Sequence, residues 1–469
     1  MPGAAWSRAL CAAGVVVMSV VSMSCGKAEQ AGARAAQALP PLPPPAPGAV
    51  FPLRVEPGVR HLVDASGRPF LIVGDAAWSI LLQLTPAEID TYLEDRHRRG
   101  YNTVLVNLLE AWFAAHPPSN REGIAPFLTP ARFESSQDYI QHVDFGTPDD
   151  RYFALFDHLV AKAAEQNMLV MVVPTYAGYL GEEQGWWVGM KKNGASKMRE
   201  FGRYLGRRYR GRRNLMWVHG GDYDVPDKSL VRELANGIRE LDAESLHSFH
   251  GGRGTGAFDW MGGEPWLTVG NVYTGEVVYE AAERHYSQHP GLPFFLVEAY
   301  YEGAKPDPRL TRVQAYQALL SGASGQISGH DMIWQFKPGW PDALANATAR
   351  SMSHAAALFE SRRWWTLQPD LQHTLLTDGL QSGVERALAA LAEDRSFAIA
   401  YTPSVRALHL DTTRMAGPRI SARWMDPQDG STASVAGPPL PRSPTLVLQP
   451  PGTNSAGQGD WVLVLESVH

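Results

Sequence analysis

The stretch Pro293-Phe-Phe-Leu-Val-Glu298-Ala-Tyr-Tyr-Glu302-Gly303 places five apolar residues directly before a carboxylate. A short run that is wholly apolar is typical of a strand buried on both faces, as in a parallel sheet covered by helices. A glutamate at the end of such a strand is costly to desolvate, so it needs a charged partner or a function. Glu298 is therefore either half of a scaffold ion pair or a catalytic group at the carboxyl end of a barrel strand.

Eight apolar runs, this one included, alternate with segments of helical periodicity, the first of which has Thr85 as N-cap and Pro86 at its first position. This alternation predicts a (β/α)8 barrel over residues 51–367. A doubly wound sheet also alternates, but no glycine-rich phosphate loop follows the first run. The runs are Phe70–Gly74, Thr103–Leu108, Leu169–Pro174, Leu215–His219, Leu246–His250, Leu267–Val272, Phe294–Val297 and Gln326–Trp334.

Two regions flank the predicted barrel within the folded part of the chain. Before it, Arg60–Pro69 predicts a hairpin that turns at Asp64–Gly67. After it, residues 368–469 contain short alternating strands separated by Gly, Pro and Ser, which predicts a small antiparallel β-sandwich. The ends of these later strands carry no cluster of carboxylates or histidines, so we expect this domain to support the barrel without contributing catalytic groups.

The first 50 residues have the composition of an export signal and a spacer. Residues 1–25 combine Arg8 with the apolar run Ala9–Val21 and end in Val21-Ser-Met-Ser-Cys25-Gly, which resembles a bacterial lipobox with Ser22 at an unusual position. We expect a lipoprotein anchored through Cys25 in the periplasm or at the cell surface; simple secretion is the alternative. Residues 26–50 are rich in Ala and Pro, as in an extended tether. Cys11 lies within the signal, so the exported body contains no disulfide.

The charge and the aromatic content of the chain bear on its partners. The formal net charge is −6, and the arginine-rich segment 203–213 lies beside an apolar stripe of Met198, Leu205 and Tyr209, as in a solvated helix face. Both observations argue against nucleic acid. The 14 Trp and 16 Tyr supply apolar faces with polar edges, which suit sugar rings.

Polar and aromatic side chains follow nearly every apolar run, at the ends that would form the mouth of the barrel. Asp222 and Glu298 end the fourth and seventh runs, which face each other across a barrel, and glycoside hydrolysis requires such a pair of carboxylates. Asp224 and Glu302 compete for the two roles. The predicted substrate-binding residues are Asp75, Trp78, Asn107, Tyr176, His219, Asp224, His250, Tyr273, Tyr301, Glu302, His330 and Trp334.

A metal hydrolase is the alternative for this mouth, because His219, Asp222, Asp224, His247 and His250 are metal-ligand types. However, the first run holds Asp75 and Trp78 where barrel metallohydrolases usually carry two histidines, and no His-Glu-x-x-His helix is present. We therefore predict no metal and no cofactor.

Four segments together resemble the apiosidase-like (β/α)8 glycoside hydrolases. They are Asp75-Ala-Ala-Trp78, Asn214-Leu-Met-Trp-Val-His-Gly-Gly-Asp222, Glu298-Ala-Tyr-Tyr-Glu302 and Gly322-Ala-Ser-Gly-Gln-Ile-Ser-Gly-His-Asp-Met-Ile-Trp334.

The resemblance extends from about Phe51 to Asp370 and implies that Asp222 is the acid/base and Glu298 the nucleophile of a retaining mechanism. Ala76, Ala299 and Ser328-Gly329 depart from the family pattern, so apiose specificity is not assumed. Family members often carry a C-terminal domain that is described as collagen-binding.

Two hypotheses about function follow. The first is a glycosidase that acts on side chains of complex polysaccharides or oligosaccharides; the second is a carbohydrate-binding barrel without turnover. The opposed pair Asp222 and Glu298 favours the enzyme, because binding alone needs no such pair. In either case the expected partner is a carbohydrate, with the membrane contacted only through Cys25, and no pattern indicates an oligomeric state.

Overall fold

Eight parallel strands form one sheet that curls into a nearly closed barrel, in the computed structural model of the chain. The model describes residues 41–44, 46–129, 132–181, 184–435 and 437–468. Neighbouring strands pair in the order β8-β7-β6-β5-β4-β11-β10-β9, and β8 and β9 contact each other where the sheet closes. The strands are β4 (Ile72–Ala76), β5 (Thr103–Asn107), β6 (Leu169–Val173), β7 (Leu215–Gly220), β8 (Leu246–His250), β9 (Gly270–Tyr273), β10 (Phe294–Glu298) and β11 (Gly325–Ser328).

The helices between the strands pack against the outside of this sheet. Val104, Val106 and Trp217 face the helices, whereas Leu105 and Val218, one position away, belong to the core inside the barrel. The strands are therefore apolar on both faces, which produces the continuous apolar runs seen in the sequence. The helices are α1 (Ile80–Gln83), α2 (Pro86–Arg98), α3 (Ser136–His142), α4 (Asp150–Glu165), α5 (Trp187–Tyr209), α6 (Lys228–Arg239), α7 (Ala257–Met261), α8 (Tyr279–Gln288), α9 (Leu310–Leu320) and α10 (Ala347–Glu360).

A three-stranded antiparallel sheet covers the amino-terminal end of the barrel. It consists of β1 (Arg54–Val55), β2 (Leu62–Val63) and β3 (Pro69–Phe70). Leu62 and Phe70 belong to the same apolar core as the inward-facing side chains of the barrel strands. This end of the barrel is therefore filled by apolar packing, and the opposite end is left for a polar site.

The C-terminal domain is built from two antiparallel sheets. Apolar residues of both sheets, including Leu410 and Leu463, share one core, as in a β-sandwich. One sheet has the order β12-β14-β15-β21-β17-β18 with β19 also on β17, and the other has the order β13-β16-β20. These strands are β12 (Leu367–Pro369), β13 (Leu376–Asp378), β14 (Leu388–Ala392), β15 (Phe397–Thr402), β16 (Leu408–Leu410), β17 (Arg419–Met425), β18 (Thr432–Ser434), β19 (Leu440–Pro441), β20 (Leu446–Leu448) and β21 (Trp461–Val468).

The second face of the larger sheet packs against the barrel. Ile399, Tyr401 and Val464 lie in the core formed by the barrel helices, and α9 contacts β14 and β15. All residues of α9 are buried, since it lies between the barrel sheet and the C-terminal sheet. The guanidinium of Arg312 on α9 pairs with the carboxylate of Asp460 at 2.8 Å, and their side chains are 1% and 0% exposed.

The fold class predicted from the sequence is confirmed, with local differences. The apolar run Phe70–Gly74 divides between the hairpin strand β3 and the barrel strand β4, and the run Gln326–Trp334 is a strand only as far as Ser328. The capping box of Thr85 and Glu88 begins α2. Two arginines of segment 203–213 form ion pairs, Arg203 with Glu240 and Arg208 with Asp157.

The predicted signal, most of the predicted tether and Cys25 lie outside the described residues. Within the described part of the chain, none of the helices combines the length and the apolar character that crossing a membrane requires.

Candidate active site

A cavity of about 570 Å³ opens at the carboxyl ends of the barrel strands and contains both predicted catalytic carboxylates. Its walls are aromatic, and its polar groups come from the last residues of strands or from the loops that follow them. The lining residues predicted from the sequence are Trp78, Asn107, Tyr176, Asp222, Tyr273, Glu298, Tyr301 and Trp334.

Asp222 is placed by a turn that only glycines allow. Gly220, Gly221 and Asp222 have φ angles of 88°, 117° and 52°, so three successive residues lie in the left-handed region. A Cβ on Gly220 would lie 2.4 Å from the carbonyl oxygen of His250, and one on Gly221 would lie 2.3 Å from the ring of Tyr176. A non-glycine residue at positive φ costs of order 1–3 kcal/mol, and such strain occurs preferentially at functional sites.

The two oxygens of Asp222 have different surroundings. The hydroxyl of Tyr176 donates a hydrogen bond to Oδ2 at 2.5 Å, while Oδ1 is buried without a hydrogen-bond partner among the described residues. Burial and the charge of Asp222 hold the pKa of Tyr176 well above its usual range, so its hydroxyl remains a donor. Tyr176 therefore fixes the carboxylate and leaves one oxygen for another group.

Glu298 is the last residue of β10, and its side chain is 15% exposed. His250 Nε2 lies 3.0 Å from its Oε2. The hydroxyl of Tyr301 also favours the ionised form of the carboxylate, and the indole N–H of Trp78 donates to that hydroxyl at 2.7 Å. Two side chains that are themselves anchored thus hold Glu298 in place.

The two carboxylates are close enough to influence each other. A carboxylate oxygen of Asp222, a carboxylate oxygen of Glu298 and a ring nitrogen of His250 all lie within 4.8 Å of one another. Burial and then the charge of Asp222 raise the pKa of Glu298, although the hydrogen bonds from His250 and Tyr301 act in the opposite direction. This is the arrangement of a carboxylate pair suited to general acid/base and nucleophilic chemistry.

The same three residues, Asp222, His250 and Glu298, form the one group with metal-ligand spacing in the described part of the chain. A metal would need the ring nitrogen and the carboxylate oxygen that already share the hydrogen bond between His250 and Glu298. The donor set therefore fits proton transfer without requiring a cation.

Two predicted substrate contacts face the helices instead of the cavity. Asp75 is buried and accepts hydrogen bonds from Tyr92 at 2.7 Å and Arg96 at 3.2 Å, both on α2. His219 stacks on His247 with ring centroids 5.2 Å apart, and burial lowers its pKa to about 3. Both residues stabilise the packing of the helices on the barrel.

Three further predicted contacts stabilise the loops around the cavity. Asp224 accepts hydrogen bonds from the backbone N–H of Gly252 and the hydroxyl of Thr255 in the loop after β8. Glu302 accepts the backbone N–H groups of Ala347 and Thr348 at the start of α10. His330 Nδ1 accepts the backbone N–H of Met332. Asp224 and Glu302 therefore do not compete for the catalytic positions.

Several lining residues were not predicted, and most of them lie on loops at some distance from the ends of the strands. The Arg253 guanidinium donates to the hydroxyl of Tyr273 at 2.9 Å and lies near the ring of Tyr300. Phe113 packs edge-on against Trp334 with ring centroids 5.2 Å apart. The full set is Phe113, Tyr179, Gln184, Arg253, Ala299, Tyr300, Ala304 and Asp331. Ala299 and Tyr300 could have been predicted from the sequence, because they directly follow Glu298 at the end of its strand.

Comparison with known structures shows the same architecture. A protein described as a glycoside hydrolase superposes with a TM-score of 0.74 at 21% identity, covering 89% of this chain and 98% of that one. A glycoside hydrolase family 5 protein from Bacteroides vulgatus gives a TM-score of 0.75 at 21% identity, with coverages of 88% and 93%. A search of curated protein sequences finds no match.

Family models match both parts of the fold. Residues 369–466 match the model described as "Putative collagen-binding domain of a collagenase". Residues 56–366, which include the barrel and its cavity, match the model described as "Apiosidase-like, catalytic domain". The resemblance inferred from the sequence motifs is thereby confirmed: the chain belongs to the apiosidase-like family, and its barrel is the catalytic domain of a glycosidase.

Proposed function

We propose that this glycosidase retains the anomeric configuration of its substrate, with Glu298 as nucleophile and Asp222 as general acid/base. The observation that carries the proposal is the separation of the two carboxylates, whose nearest ligand oxygens lie within 4.8 Å. Retaining enzymes hold their carboxyl groups about 5–5.5 Å apart, and inverting enzymes hold them about 6.5–9.5 Å apart to admit a water molecule. Oxygens this close leave little room for a water molecule between the two carboxylates, which supports retention.

Glu298 is suited to the nucleophilic role because it is held rigidly. In the first step its carboxylate attacks the anomeric carbon, and the bond from that carbon to the leaving oxygen breaks. The hydrogen bond with His250 and the hydroxyl of Tyr301 favour the ionised carboxylate, and His250 fixes the position of its Oε2. A water molecule then attacks the same carbon, and Glu298 leaves.

Asp222 is suited to proton transfer because Tyr176 occupies only one of its oxygens. Its Oδ1 carries the proton that goes to the leaving oxygen in the first step. In the second step the resulting carboxylate removes a proton from the attacking water. The turn formed by Gly220, Gly221 and Asp222 fixes the position of this carboxylate beyond the end of β7.

The substrate that we propose is a side chain of a complex polysaccharide or oligosaccharide. Trp78, Tyr273 and Trp334 supply flat apolar walls, and Asn107 presents an amide oxygen without a partner among the described residues. Such walls suit the C–H faces of sugar rings, while amide and carboxylate groups suit their hydroxyls. The departures at Ala76 and Ala299 leave apiose unassigned as the sugar.

We further propose that the enzyme is exported and held at a membrane through lipid on Cys25, with residues 26–50 as a spacer. The support is the sequence alone: an apolar segment with a positive start, a lipobox-like ending and an Ala/Pro-rich tether. This location would place the cavity where it meets extracellular or periplasmic glycans.

Azide rescue separates the two proposed roles. A panel of polysaccharides first identifies a substrate by chromatography of the released sugars, and nitrophenyl glycosides of the released sugar are then used. Glu298→Ala should abolish turnover of every substrate. Asp222→Ala should lose activity on the natural glycan, yet retain much of the first step on the nitrophenyl glycoside, and added azide should give a glycosyl azide of retained configuration. Inverted product, or identical behaviour of the two variants on both substrates, would contradict the assignment.

A further inference from the structure

A second concave surface of about 480 Å³, here named the outer groove, adjoins the active-site cavity. Two residues, Tyr179 and Gln184, line both the groove and the cavity, so the two spaces are direct neighbours. The outer groove is lined by Trp112, Gln137, Gln141, Tyr179, Gly181, Gln184 and Val188. None of these side chains is charged.

The outer groove exposes aromatic surface that the fold does not use. Trp112 is 51% exposed and Tyr179 is 56% exposed, and Leu180 beside it is 55% exposed. They are three of the eight large apolar side chains exposed in the described part of the chain, and they lie on two neighbouring loops. Clustered exposed apolar groups with a polar surround mark binding surfaces more often than single ones do.

The loop that presents Tyr179 is fixed at its base. The backbone N–H of Trp186 donates to the carbonyl oxygen of Tyr176 at 2.8 Å, and Gly178 packs so closely on Gly185 that a Cβ on either would overlap the other strand of the loop. Leu180 at its tip has a φ of 55°, a conformation that a leucine adopts at a cost. The base of the loop is therefore closely packed, while the side chains of Tyr179 and Leu180 remain exposed.

The loop that presents Trp112 is fixed in a similar way. Phe113, the next residue, lies inside the cavity with its ring edge-on to Tyr176 and Trp334. The hydroxyl of Ser136, at the start of α3, donates to the carbonyl oxygen of Ala111 at 2.8 Å. Consecutive residues thus face the cavity and the outer groove, so this loop forms the ridge between the two.

We propose that the outer groove is a distal sugar-binding site that holds a further, uncharged part of the same glycan whose glycosidic bond lies between Asp222 and Glu298. The inference rests on the proposed glycosidase function. It adds that the substrate is a sugar chain long enough to extend from the cleaved bond into the outer groove. Trp112 and Tyr179 supply flat faces for sugar rings, and the amides of Gln141 and Gln184 supply both donors and acceptors for hydroxyls.

The test uses an inactive background so that binding is measured without turnover. Glu298→Gln is combined in turn with Trp112→Ala, with Tyr179→Ala and with Trp365→Ala. The last is a matched control, because Trp365 is a partly exposed tryptophan at the opposite end of the barrel, near residues that precede the strands. Each protein is run by affinity electrophoresis in gels that contain galactomannan, arabinan, arabinoxylan or pectin. The slowing of its migration gives the dissociation constant of its complex with that polysaccharide.

The polysaccharide of interest is the one in the gel that slows the migration of the Glu298→Gln protein. The groove substitutions should weaken binding of this polysaccharide about tenfold, which corresponds to about 1.4 kcal/mol, and Trp365→Ala should leave its binding unchanged. In the active enzyme, Trp112→Ala should lower kcat/KM for that polysaccharide about tenfold more than kcat/KM for a nitrophenyl glycoside of the released sugar.

Equal losses on the two substrates, or unchanged polysaccharide binding in both groove variants, would overturn the distal site while leaving the glycosidase intact. A change of oligomeric state on Trp112→Ala in place of a change in glycan binding would also overturn it and would assign the groove to a second copy of the chain. Absence of turnover by the unmodified enzyme on every glycan would instead count against the proposed function, and the binding measurements would still decide about the groove.

Discussion

His250 connects the two carboxylates of the site: its Nε2 lies 3.0 Å from Glu298 Oε2, and its Nδ1 lies 3.2 Å from the backbone nitrogen of Asp222 and 3.1 Å from the carbonyl oxygen of Gly251. Burial opposes a positive charge on this imidazole, but the hydrogen bond to Glu298 and the charges of both carboxylates outweigh it, so the pKa of His250 is raised. The position of the Asp222 turn and the orientation of Glu298 are thus set by one buried ring. Changes in the hydrogen bonds of Glu298 should consequently be visible in the pH dependence of the reaction.

Replacing Tyr301 by Phe should move the acidic limb of the pH profile of kcat/KM to higher pH. The hydroxyl of Tyr301 stabilises the ionised form of Glu298, which the proposed nucleophile must adopt, and its removal raises the pKa of Glu298 further. In the unmodified enzyme this limb should already lie above 4.5, the ordinary value for a glutamate, because the pKa of Glu298 is raised. The profile is measured on a nitrophenyl glycoside at constant ionic strength.

Trp78→Phe provides a graded comparison for that measurement. Its indole N–H donates to the Tyr301 hydroxyl and does not touch Glu298 directly, so the shift of the acidic limb should have the same sign and a smaller size. If Tyr301→Phe moved the limb to lower pH, the limb would not report the ionisation of Glu298.

Gly221→Ala should lower kcat/KM about 100-fold while the protein remains folded. The added methyl group would lie 2.3 Å from the ring of Tyr176 and would displace the hydroxyl that holds Asp222, and a shift of about 1 Å in a catalytic group can cost this much. Gly211→Ala is the control, since Gly211 has a φ of 86° with no atom near the added Cβ. The control should lose stability in thermal unfolding, measured as Tm, and keep its activity. Equal activity losses in the two variants would mean that backbone strain alone explains the effect.

The barrel, and the placement of its catalytic pair, could be predicted because each strand run ends abruptly in polar residues. Glu298 is the last residue of β10, and Asp222 follows β7, which ends at Gly220, after one further glycine. Wholly apolar runs, a helix start at Thr85 and the absence of a phosphate loop are local features of the sequence. They determine which elements form and which residues stand at the ends of strands.

The direction of each side chain could not be predicted in the same way. His219 and His250 both stand at the end of neighbouring strands, yet His219 faces the helices with Trp217, whereas His250 reaches Glu298. Strands of a parallel barrel are apolar on both faces, so the alternation that would distinguish inside from outside is missing from the sequence. The role of Arg253 was missed for another reason, because its loop position is fixed only by tertiary contacts with Tyr273.

Cys25→Ser should release the protein from membranes if the lipobox-like ending of the signal is used. In a bacterial lipoprotein the lipid is attached through the thiol of the lipobox cysteine, and the segment from residue 26 to residue 50 is too polar and proline-rich to hold the chain at a bilayer by itself. The measurement is the distribution of enzyme activity between membrane and soluble fractions of the producing cells. Retention of the variant in the membrane fraction would indicate that the apolar segment is kept as an uncleaved anchor.

Asp460→Asn should lower the free energy of unfolding by about 3–5 kcal/mol, because it leaves the guanidinium of Arg312 buried without its counter-charge between the barrel and the C-terminal sheet. The double variant Arg312→Met with Asp460→Asn should recover part of this loss, since it removes the uncompensated charge as well. The control is Asp394→Asn, which breaks an ion pair with Arg363 whose side chains are 49% and 63% exposed and should cost less than about 1 kcal/mol.

Denaturant titration gives the three free energies, and turnover of a nitrophenyl glycoside under stabilising conditions gives the activity of each variant. The C-terminal sheet contacts α9, and among the described residues it contributes none to the cavity wall, so Asp460→Asn should reduce stability and leave kcat/KM unchanged where the protein is folded. A large loss of kcat/KM in the folded variant would show that the C-terminal domain adjusts the geometry of the cavity through α9. Unchanged stability would show that water reaches Arg312 at the junction between the two parts of the fold.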